Sequence, residues 1–412
     1  MLIKNIKKLI QTQDLKMPIK GTKMQLIPSI DNAWILTEDD KIKSFGEMKD
    51  CPTMENEQVI DANGKLVLPT WVDSHTHLVY AAPREEEFVM RLKGKSYQEI
   101  AEAGGGILNS AKKLQATSEE ELYESAWKRL QEVISMGTGA IEIKSGYGLS
   151  LEAELKMLRV IKKLKENSPI PIKATFLGAH AFPAKYKENH QAYIDLIINE
   201  MLPQIAKEGL ADYIDAFCEK VAFSVKETEQ IIKAGAQYGL KAKVHTNQFN
   251  CMGGIELCVA NNALSVDHLE VINENEIAAL ENSYTIATLL PTAPFFLSDP
   301  YQPARQIIDA RIATALASDY NPGSTPSGNM NFVISLACIK LKMTPEEAIN
   351  AATANGAFAL EMQNEVGSIA KGKKANLIIT EEIPSMGFMP YSFGRNHIDQ
   401  VIINGKQFNY EP

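Results

Sequence analysis

Long apolar runs, paired cysteines and an excess of positive charge are all missing from this sequence of 412 residues. No uninterrupted apolar run approaches the roughly 20 residues that a membrane-spanning helix needs. The lysine-interrupted N-terminus also lacks the apolar stretch of a secretory signal. The cysteines form no C-x-x-C pair, which favours reduced thiols and a cytoplasmic protein. They are Cys51, Cys218, Cys251, Cys258 and Cys338.

The charge balance excludes further classes of protein. The 42 Lys and Arg residues are outnumbered by 51 Asp and Glu residues, which gives a formal net charge of −9. We therefore do not expect nucleic acid or an anionic membrane to be the main partner, although a local arginine can still bind an anionic small molecule. Hydrophobic residues make up 45% of the chain, which is enough for a sizeable core.

After residue 64, short β-type segments alternate with longer segments of helical periodicity, such as 120–137, 151–165 and 225–239. Eight strands alternating with helices predict a parallel α/β sheet. The sheet is either closed into a (β/α)8 TIM-like barrel or open and doubly wound, and periodicity alone does not separate the two. The predicted strands are 66–73, 139–144, 173–178, 213–218, 242–245, 263–268, 283–290 and 314–318.

Both ends of the chain differ from this central part. Short β segments at 33–36, 41–45 and 58–61 lead to the turn signal Asn63-Gly64, and the tail repeats this style at 375–380 and 400–404. The simplest account is one small β-sandwich domain built from both termini. We predict that it comprises residues 1–64 plus 366–412, and that the barrel comprises residues 65–365.

Histidine is scarce, and its placement gives the clearest chemical signal. Five of the seven histidines follow predicted strand ends, where barrel enzymes carry their catalytic groups: His75, His77, His180, His245 and His268. In an extended backbone, residues two apart face the same side, so the rings of His75 and His77 can bind the same metal ion. Imidazoles and a carboxylate suit a transition metal such as Zn²⁺, and Fe fits as well. We predict a metal site formed by His75, His77, His245 and Asp319.

The residues around this site resemble the metal-dependent amidohydrolase superfamily, on the run from Leu66 to His77 (LVLPTWVDSHTH) and on the strand-end His245, His268 and Asp319. Within it, the sequence is similar to the imidazolonepropionase family at 79–85, 104–107, 141–148, 176–180, 265–268 and 319–325. This resemblance implies a (β/α)8 barrel holding one Zn²⁺ or Fe³⁺ per chain. It also implies a hydrolase of histidine degradation, which opens the ring of 4-imidazolone-5-propanoate with water to give N-formimidoyl-L-glutamate.

The resemblance also implies roles for individual residues. Asp319 would accept a proton from the attacking water, and His268 would orient the water or stabilise developing negative charge. By itself, however, a single histidine could equally belong to the core. Arg84 would bind the propanoate arm through a bidentate contact. From the residues alone, an ion pair with a neighbouring glutamate at 85–87 is the default for this arginine.

Further substrate contacts are implied around the strand ends. Tyr147 and His180 would contact the substrate, as would Asn321, Gly323 and Ser324 in the turn-rich loop that follows Asp319. Simple rim packing for the tyrosine and an ordinary turn for the loop remain open. Gln248 stands where many family members carry Glu. A neutral amide cannot accept a proton but can hydrogen-bond a ring, so we predict that Gln248 binds substrate.

Two other functions share these features. An aminohydrolase acting on a guanine- or cytosine-like ring would use the same metal ligands, but a neutral base offers no carboxylate to Arg84. A catalytically inactive barrel used for assembly would be expected to have lost metal ligands, and all four candidates are present. For the proposed hydrolase the partner would be a small anionic substrate. Apolar helix faces favour a homodimer.

Overall fold

The computed structural model describes residues 1–53, 58–95, 99 and 105–410, so Gly104 of the 104–107 motif lies outside the described residues. The N-terminal part forms one side of a mixed sheet. Its central strand pairs antiparallel with the second strand and parallel with the fourth and fifth. The strands are β1 (Leu2–Ile10), β2 (Ser29–Glu38), β3 (Lys41–Glu47), β4 (Val59–Asp61) and β5 (Leu66–Pro69).

Strand β1 was not predicted from the sequence. Its lysines broke the apolar pattern, but Lys7 is exposed while Ile3, Ile6 and Leu9 are fully buried. Asn5 has a positive φ of 54°, and the pairing with β2 shifts register between Ile3 and Ile6. Such an irregularity changes which side chains face the core. A simple alternating pattern therefore does not describe this strand.

Eight parallel strands form the central barrel of the described chain, each paired with its neighbours in sequence order. This confirms the predicted (β/α)8 fold and excludes the doubly wound alternative. The strands are β6 (Trp71–Asp73), β7 (Thr138–Lys144), β8 (Ile172–Ala179), β9 (Tyr213–Cys218), β10 (Lys241–Thr246), β11 (Ser265–His268), β12 (Ile286–Leu289) and β13 (Thr314–Leu316).

The prediction of a single barrel strand over 66–73 is wrong, because the chain changes sheets at Thr70. Residues 66–69 pair with the terminal sheet, and the Thr70 amide donates to the carbonyl of Asn376 at 3.2 Å. The next amide, of Trp71, donates to Gly137 beside the barrel strand β7 at 2.8 Å. Because the residues on both sides of Thr70 are buried, the sequence alone shows one continuous apolar run.

Strands from the C-terminal part complete the terminal sheet and confirm a small β domain built from both ends. They are β14 (Leu377–Thr380), β15 (Ile398–Ile403) and β16 (Lys406–Gln407). β14 pairs antiparallel with β5, and apolar residues of both chain ends share one core cluster that includes Val67 and Leu377. The division into 1–64 plus 366–412 and 65–365 stays a prediction.

Helices surround the barrel, and in the described part of the chain every helix is too short or too polar to cross a membrane. The predicted helices 120–137, 151–165 and 225–239 correspond to the observed helices Glu119–Ser135, Leu151–Asn167 and Val225–Ala236. The helices are α1 (Glu85–Leu92), α2 (Ile107–Ala116), α3 (Glu119–Ser135), α4 (Leu151–Asn167), α5 (His190–Leu196), α6 (Leu202–Glu208), α7 (Val225–Ala236), α8 (Gly254–Ala260), α9 (Glu274–Glu281), α10 (Thr292–Leu297), α11 (Ala304–Asp309), α12 (Met330–Ile339), α13 (Pro345–Asn350), α14 (Gly356–Ala359) and α15 (Phe388–Tyr391).

Hydrogen bonds from both backbone and side chains join the chain at the ends of the first and last barrel strands. Among the described residues, no strand pairing joins β13 to β6. Instead, the backbone amide and hydroxyl of Ser318 donate to the two carboxylate oxygens of Asp73 at 2.9 and 2.5 Å. Just beyond, the Asp319 amide donates to the His75 carbonyl at 3.0 Å. This seam brings the carboxylate after β13 beside the histidines after β6.

Candidate active site

Four side chains converge at the carboxyl ends of the barrel strands. The Nε2 atoms of His75 and His245 are 3.1 Å apart, and those of His245 and His77 are 3.2 Å apart. Oδ1 of Asp319 lies 3.6 Å from Nε2 of both His75 and His77. All four residues are buried. The structure therefore brings together the four residues predicted to bind a metal.

Carboxylates behind the ligands fix the orientation of two rings. Oδ2 of Asp267 lies 2.7 Å from His75 Nδ1, and Oδ2 of Asp215 lies 2.8 Å from His245 Nδ1. With Nδ1 donating to a carboxylate, each Nε2 presents a lone pair to the centre. Burial lowers the pKa of both histidines well below its usual value, which favours the neutral rings that metals bind.

The chemistry of the donor set fits a divalent metal. Neighbouring donor atoms of this set are 3.1–3.6 Å apart, and their lone pairs repel one another unless a cation lies between them. Nδ1 of His77 has no hydrogen-bond partner among the described residues, but its ring stacks on His180 at a centroid distance of 5.3 Å. The set therefore matches the three-histidine and carboxylate chemistry expected from the sequence.

His268 lies beside the metal donors and lines the cleft above them. A ligand atom of His268 lies within 4.8 Å of those of His75 and Asp319. Its Nδ1 contacts Glu270 Oε1 at 3.2 Å, and Gln302 donates to that same oxygen at 3.0 Å. Burial lowers the pKa of His268, but the carboxylates of Glu270, Asp319 and Asp267 together more than offset this and raise it to about 9. Glu270 therefore orients this ring and contributes to keeping it charged.

The backbone is unusual at both residues predicted to act on protons. His268 has a φ of 93° and Asp319 a φ of 55°. Both values lie in the left-handed region, which residues other than glycine rarely adopt. Such conformations persist only when the surroundings enforce them, and they occur often at active sites. Burial also raises the pKa of Asp319 to about 7, against the opposing effect of His268.

A cleft of about 620 Å³ opens above the metal donors. Three of the four donors line it, while His75 is fully buried behind them. All of the residues predicted to bind substrate line this cleft as well: Arg84, Tyr147, His180, Gln248, Asn321, Gly323 and Ser324. The arrangement provides a binding volume next to a reactive centre.

Arg84 forms the ion pair that the residues alone suggested. Its Nε and Nη2 donate to the carboxylate of Glu87 at 3.0 and 2.6 Å. Its Nη1 lies against Gly323, where any side chain would clash with the guanidinium. Sequence reasoning missed Arg91, which donates to the Gly323 carbonyl at 3.0 Å. Arg91 lies four residues after Glu87, a spacing that places both side chains on the same face of a helix, and this spacing could have indicated its position beside Arg84.

Tyr147 and His180 form one wall of the cleft. The Tyr147 ring lies 5.8 Å from His77 and 5.4 Å from His180, measured between centroids. Within the described residues, the Tyr147 hydroxyl has no hydrogen-bond partner. His180 Nδ1 lies 3.2 Å from the carbonyl of Gly146, and burial lowers its pKa to about 4. A tyrosine hydroxyl and one nitrogen of a neutral imidazole are thus left for a ligand.

The loop after Asp319 is organised by one amide side chain. Asn321 Nδ2 donates to the Asp319 carbonyl at 2.7 Å and to Ser324 Oγ at 2.8 Å. Its Oδ1 accepts from the amides of Gly323 and Ser324 at 2.7 and 2.8 Å. Asn321 therefore uses both donors and its acceptor to hold the turn. Its contact with substrate stays a prediction.

Gln248 is half-buried at the cleft, in the loop that follows β10. Its amide has no hydrogen-bond partner among the described residues. The preceding residue, Asn247, donates to the Val271 carbonyl at 3.0 Å, which anchors the base of this loop. Gln248 is consequently free to donate to and accept from a bound molecule.

Solved structures with this architecture are numerous. The 5-methylcytosine deaminase from Klebsiella pneumoniae, liganded with phosphonocytosine, matches with a TM-score of 0.76 at 16% identity, over 100% of this chain and 98% of that chain. An adenosine deaminase from Xanthomonas campestris with bound zinc matches with a TM-score of 0.71 at 16% identity, over 98% of this chain and 92% of that one. At such low identity these similarities show the fold alone.

Sequence comparison is more specific. The profile of the amidohydrolase family matches residues 66–408, so the chain belongs to this family. Imidazolonepropionase from Christiangramia forsetii is 60% identical over 98% of this chain and 99% of its own length. The same enzyme from Flavobacterium psychrophilum is 59% identical over 98% and 99%. Within the amidohydrolases, the chain is thus a member of the imidazolonepropionase family.

Proposed function

We propose that this chain hydrolyses 4-imidazolone-5-propanoate to N-formimidoyl-L-glutamate, a step of histidine degradation, with a bound Zn²⁺ or Fe³⁺. The observation that carries the proposal is the position of every predicted substrate residue in the cleft where three histidines and Asp319 converge. Full-length identity of 60% to an imidazolonepropionase supports it.

The metal would be held by His75, His77, His245 and Asp319. When bound, it supplies a Lewis acid that makes water nucleophilic at neutral pH. Both Zn²⁺ and iron accept imidazole and carboxylate ligands, so the donor set suits either.

Two residues are positioned to handle protons and charge. In the reaction, water adds to the ring carbonyl carbon, the carbon–nitrogen bond breaks, and the leaving nitrogen takes a proton. Asp319 has one oxygen among the histidines, while Ser324 Oγ lies 3.4 Å from the other. Asp319 would take the proton from the attacking water and return it to the leaving nitrogen. His268, held by Glu270, would stabilise negative charge on the carbonyl oxygen.

The propanoate arm would be bound by Arg84. Glu87 holds this guanidinium through two oxygens and also accepts from the Gly106 amide at 3.0 Å, which restricts its orientation. Arg91 adds a second positive charge to the same side of the cleft. An anionic arm bound there would direct the ring towards the metal donors, between Tyr147 and Gln248.

The test is the loss of substrate ultraviolet absorbance upon addition of metal-loaded protein. Removing hydrogen bonds to a charged group costs about 1.5–3 kcal/mol, so we expect Arg84→Ala to raise KM by roughly 10- to 100-fold. Arg159→Ala is the matched control, because Arg159 makes a similar two-bond pair with Glu208 at 2.9 and 2.8 Å outside the cleft. It should leave KM unchanged.

Each other outcome is informative. Turnover that is insensitive to Arg84→Ala would retain the reaction but move the carboxylate anchor elsewhere. A metal-loaded protein without turnover would contradict the proposed reaction, and guanine and cytosine would then be assayed for deamination.

We also propose a location and an assembly for the chain. The cysteines Cys51, Cys218, Cys251, Cys258 and Cys338 are all free. This supports a cytoplasmic location. A homodimer stays a prediction, which sedimentation of the purified protein would test. The expectation of no nucleic acid or membrane partner also stays a prediction.

A further inference from the structure

The barrel interior beneath the metal donors contains a fully buried lysine that the proposed reaction does not use. Lys144 ends strand β7, and its side chain has no exposed surface. Its Nζ lies 2.8 Å from Glu142 Oε1, 2.9 Å from Asp215 Oδ2 and 3.8 Å from Asp267 Oδ2. One ammonium group therefore contacts three carboxylates in a space without water-exposed side chains.

Two of these carboxylate oxygens also contact the metal-binding histidines. Asp215 Oδ2 accepts from His245 Nδ1, and Asp267 Oδ2 accepts from His75 Nδ1. Lys144 Nζ lies 2.9 and 3.8 Å from these same two oxygen atoms. The ammonium group is thus linked to two metal donors, in each case through a single shared atom.

We propose that Lys144 is a positioning residue for the metal centre. It holds Asp215 at 2.9 Å and offsets the charge of Asp267 at 3.8 Å, so that both histidine rings keep Nε2 directed at the metal. Two carboxylates confined in a dry interior repel each other strongly, and a cation between them offsets this repulsion. Without it the carboxylates would move apart and the rings would lose their anchors. The inference rests on the metal centre of the proposed function.

A second buried lysine provides a matched comparison. Lys243, in β10, is also fully buried, but it donates to Ser265 Oγ at 2.9 Å and to the Ala359 carbonyl at 3.3 Å. Like Lys144, it lies beyond hydrogen-bond distance of Asp267 Oδ2, at 4.0 Å, but among the described residues it forms no ion pair with Asp215. A merely structural role for buried lysines predicts the same effect at both positions. The positioning role predicts an effect on metal binding at Lys144 alone.

The experiment measures Zn²⁺ affinity of the metal-free full chain by competition with a chromogenic chelator. Loss of groups that orient metal ligands costs about 10- to 100-fold in affinity, so we expect this weakening for Lys144→Met. Lys243→Met should bind Zn²⁺ as the unmodified chain does, even if it unfolds at a lower temperature. The visible spectrum of bound Co²⁺ should change only in Lys144→Met, because the ligand rings have moved.

Circular dichroism would confirm that each variant is folded. If Lys144→Met does not fold, the double variant Lys144→Met/Glu142→Gln, which removes one uncompensated carboxylate, is measured in its place. Equal Zn²⁺ affinity in the Lys144 variant and the unmodified chain would overturn the positioning role. Failure of the unmodified chain to bind one Zn²⁺ would instead overturn the metal centre and, with it, the proposed function.

Discussion

Arg84 and Gln248 line the same cleft but differ in how firmly they are held. Two nitrogens of Arg84 are bound by Glu87, so its guanidinium has one orientation. The Gln248 amide has no partner among the described residues and can rotate to suit a ligand. In the proposed complex, specificity for a carboxylate would therefore come from a rigid group, whereas contact with the ring would depend on an adaptable one.

This difference predicts what substitutions of Gln248 do. Gln248→Ala removes a hydrogen bond worth about 0.5–1.5 kcal/mol, so KM should rise roughly 2- to 13-fold. Gln248→Glu should not raise kcat substantially, since the proposed proton acceptor is Asp319. Steady-state kinetics would measure both, with the exposed Gln237→Ala as control. A gain in kcat of several orders of magnitude for Gln248→Glu would show that the base belongs at position 248.

The buried charges behind the site show where sequence reasoning ends. In β7, Glu142 and Lys144 alternate with Ile141 and Ile143, and all four are buried. The same alternation in a half-exposed strand would place the charges in water. Only closure of the barrel makes the polar face an interior one. The histidines of the proposed metal site could be predicted from the sequence, because the ends of their strands could be predicted. The buried charged groups that orient these histidines could not be predicted.

Strand boundaries show the same limit. The span 213–218 was predicted with the ends that β9 has, because polar turns flank a short buried run. The span 66–73 had no such break, since Thr70 is as buried as its neighbours. Which sheet a buried strand joins is decided by its hydrogen-bond partners, and for β5 one of these, β14, lies about three hundred residues away in the sequence.

The seam between β6 and β13 should be sensitive to one hydroxyl group. Ser318→Ala removes a hydrogen-bond donor from the buried Asp73 carboxylate, and leaving such a group less satisfied costs about 1–3 kcal/mol. Activity should fall as well, because the two strands carry His75 and Asp319. Urea denaturation with metal present would measure the loss, with Ser135→Ala at the exposed end of α3 as control. Unchanged stability and activity would show that the backbone contacts close the seam by themselves.

For the whole molecule, metal binding should be coupled to stability. The proposed ligands follow β6, β10 and β13, so one ion would link distant parts of the barrel. A ligand at 100 times its Kd stabilises the folded state by about 2.7 kcal/mol. Chelation should therefore lower Tm by several degrees, and Zn²⁺ should restore it while Mg²⁺ does not. A Tm that is indifferent to Zn²⁺ would contradict a metal bound by these residues.

The sheet change at Thr70 has a consequence for how the protein is made. β5, immediately before the strand that leads to His75, is hydrogen-bonded on one side to β14. That partner is synthesised more than three hundred residues later. Until it leaves the ribosome, an apolar strand edge stays open to pairing with other chains. The nascent chain should therefore need protection at this edge of β5 until translation is almost finished.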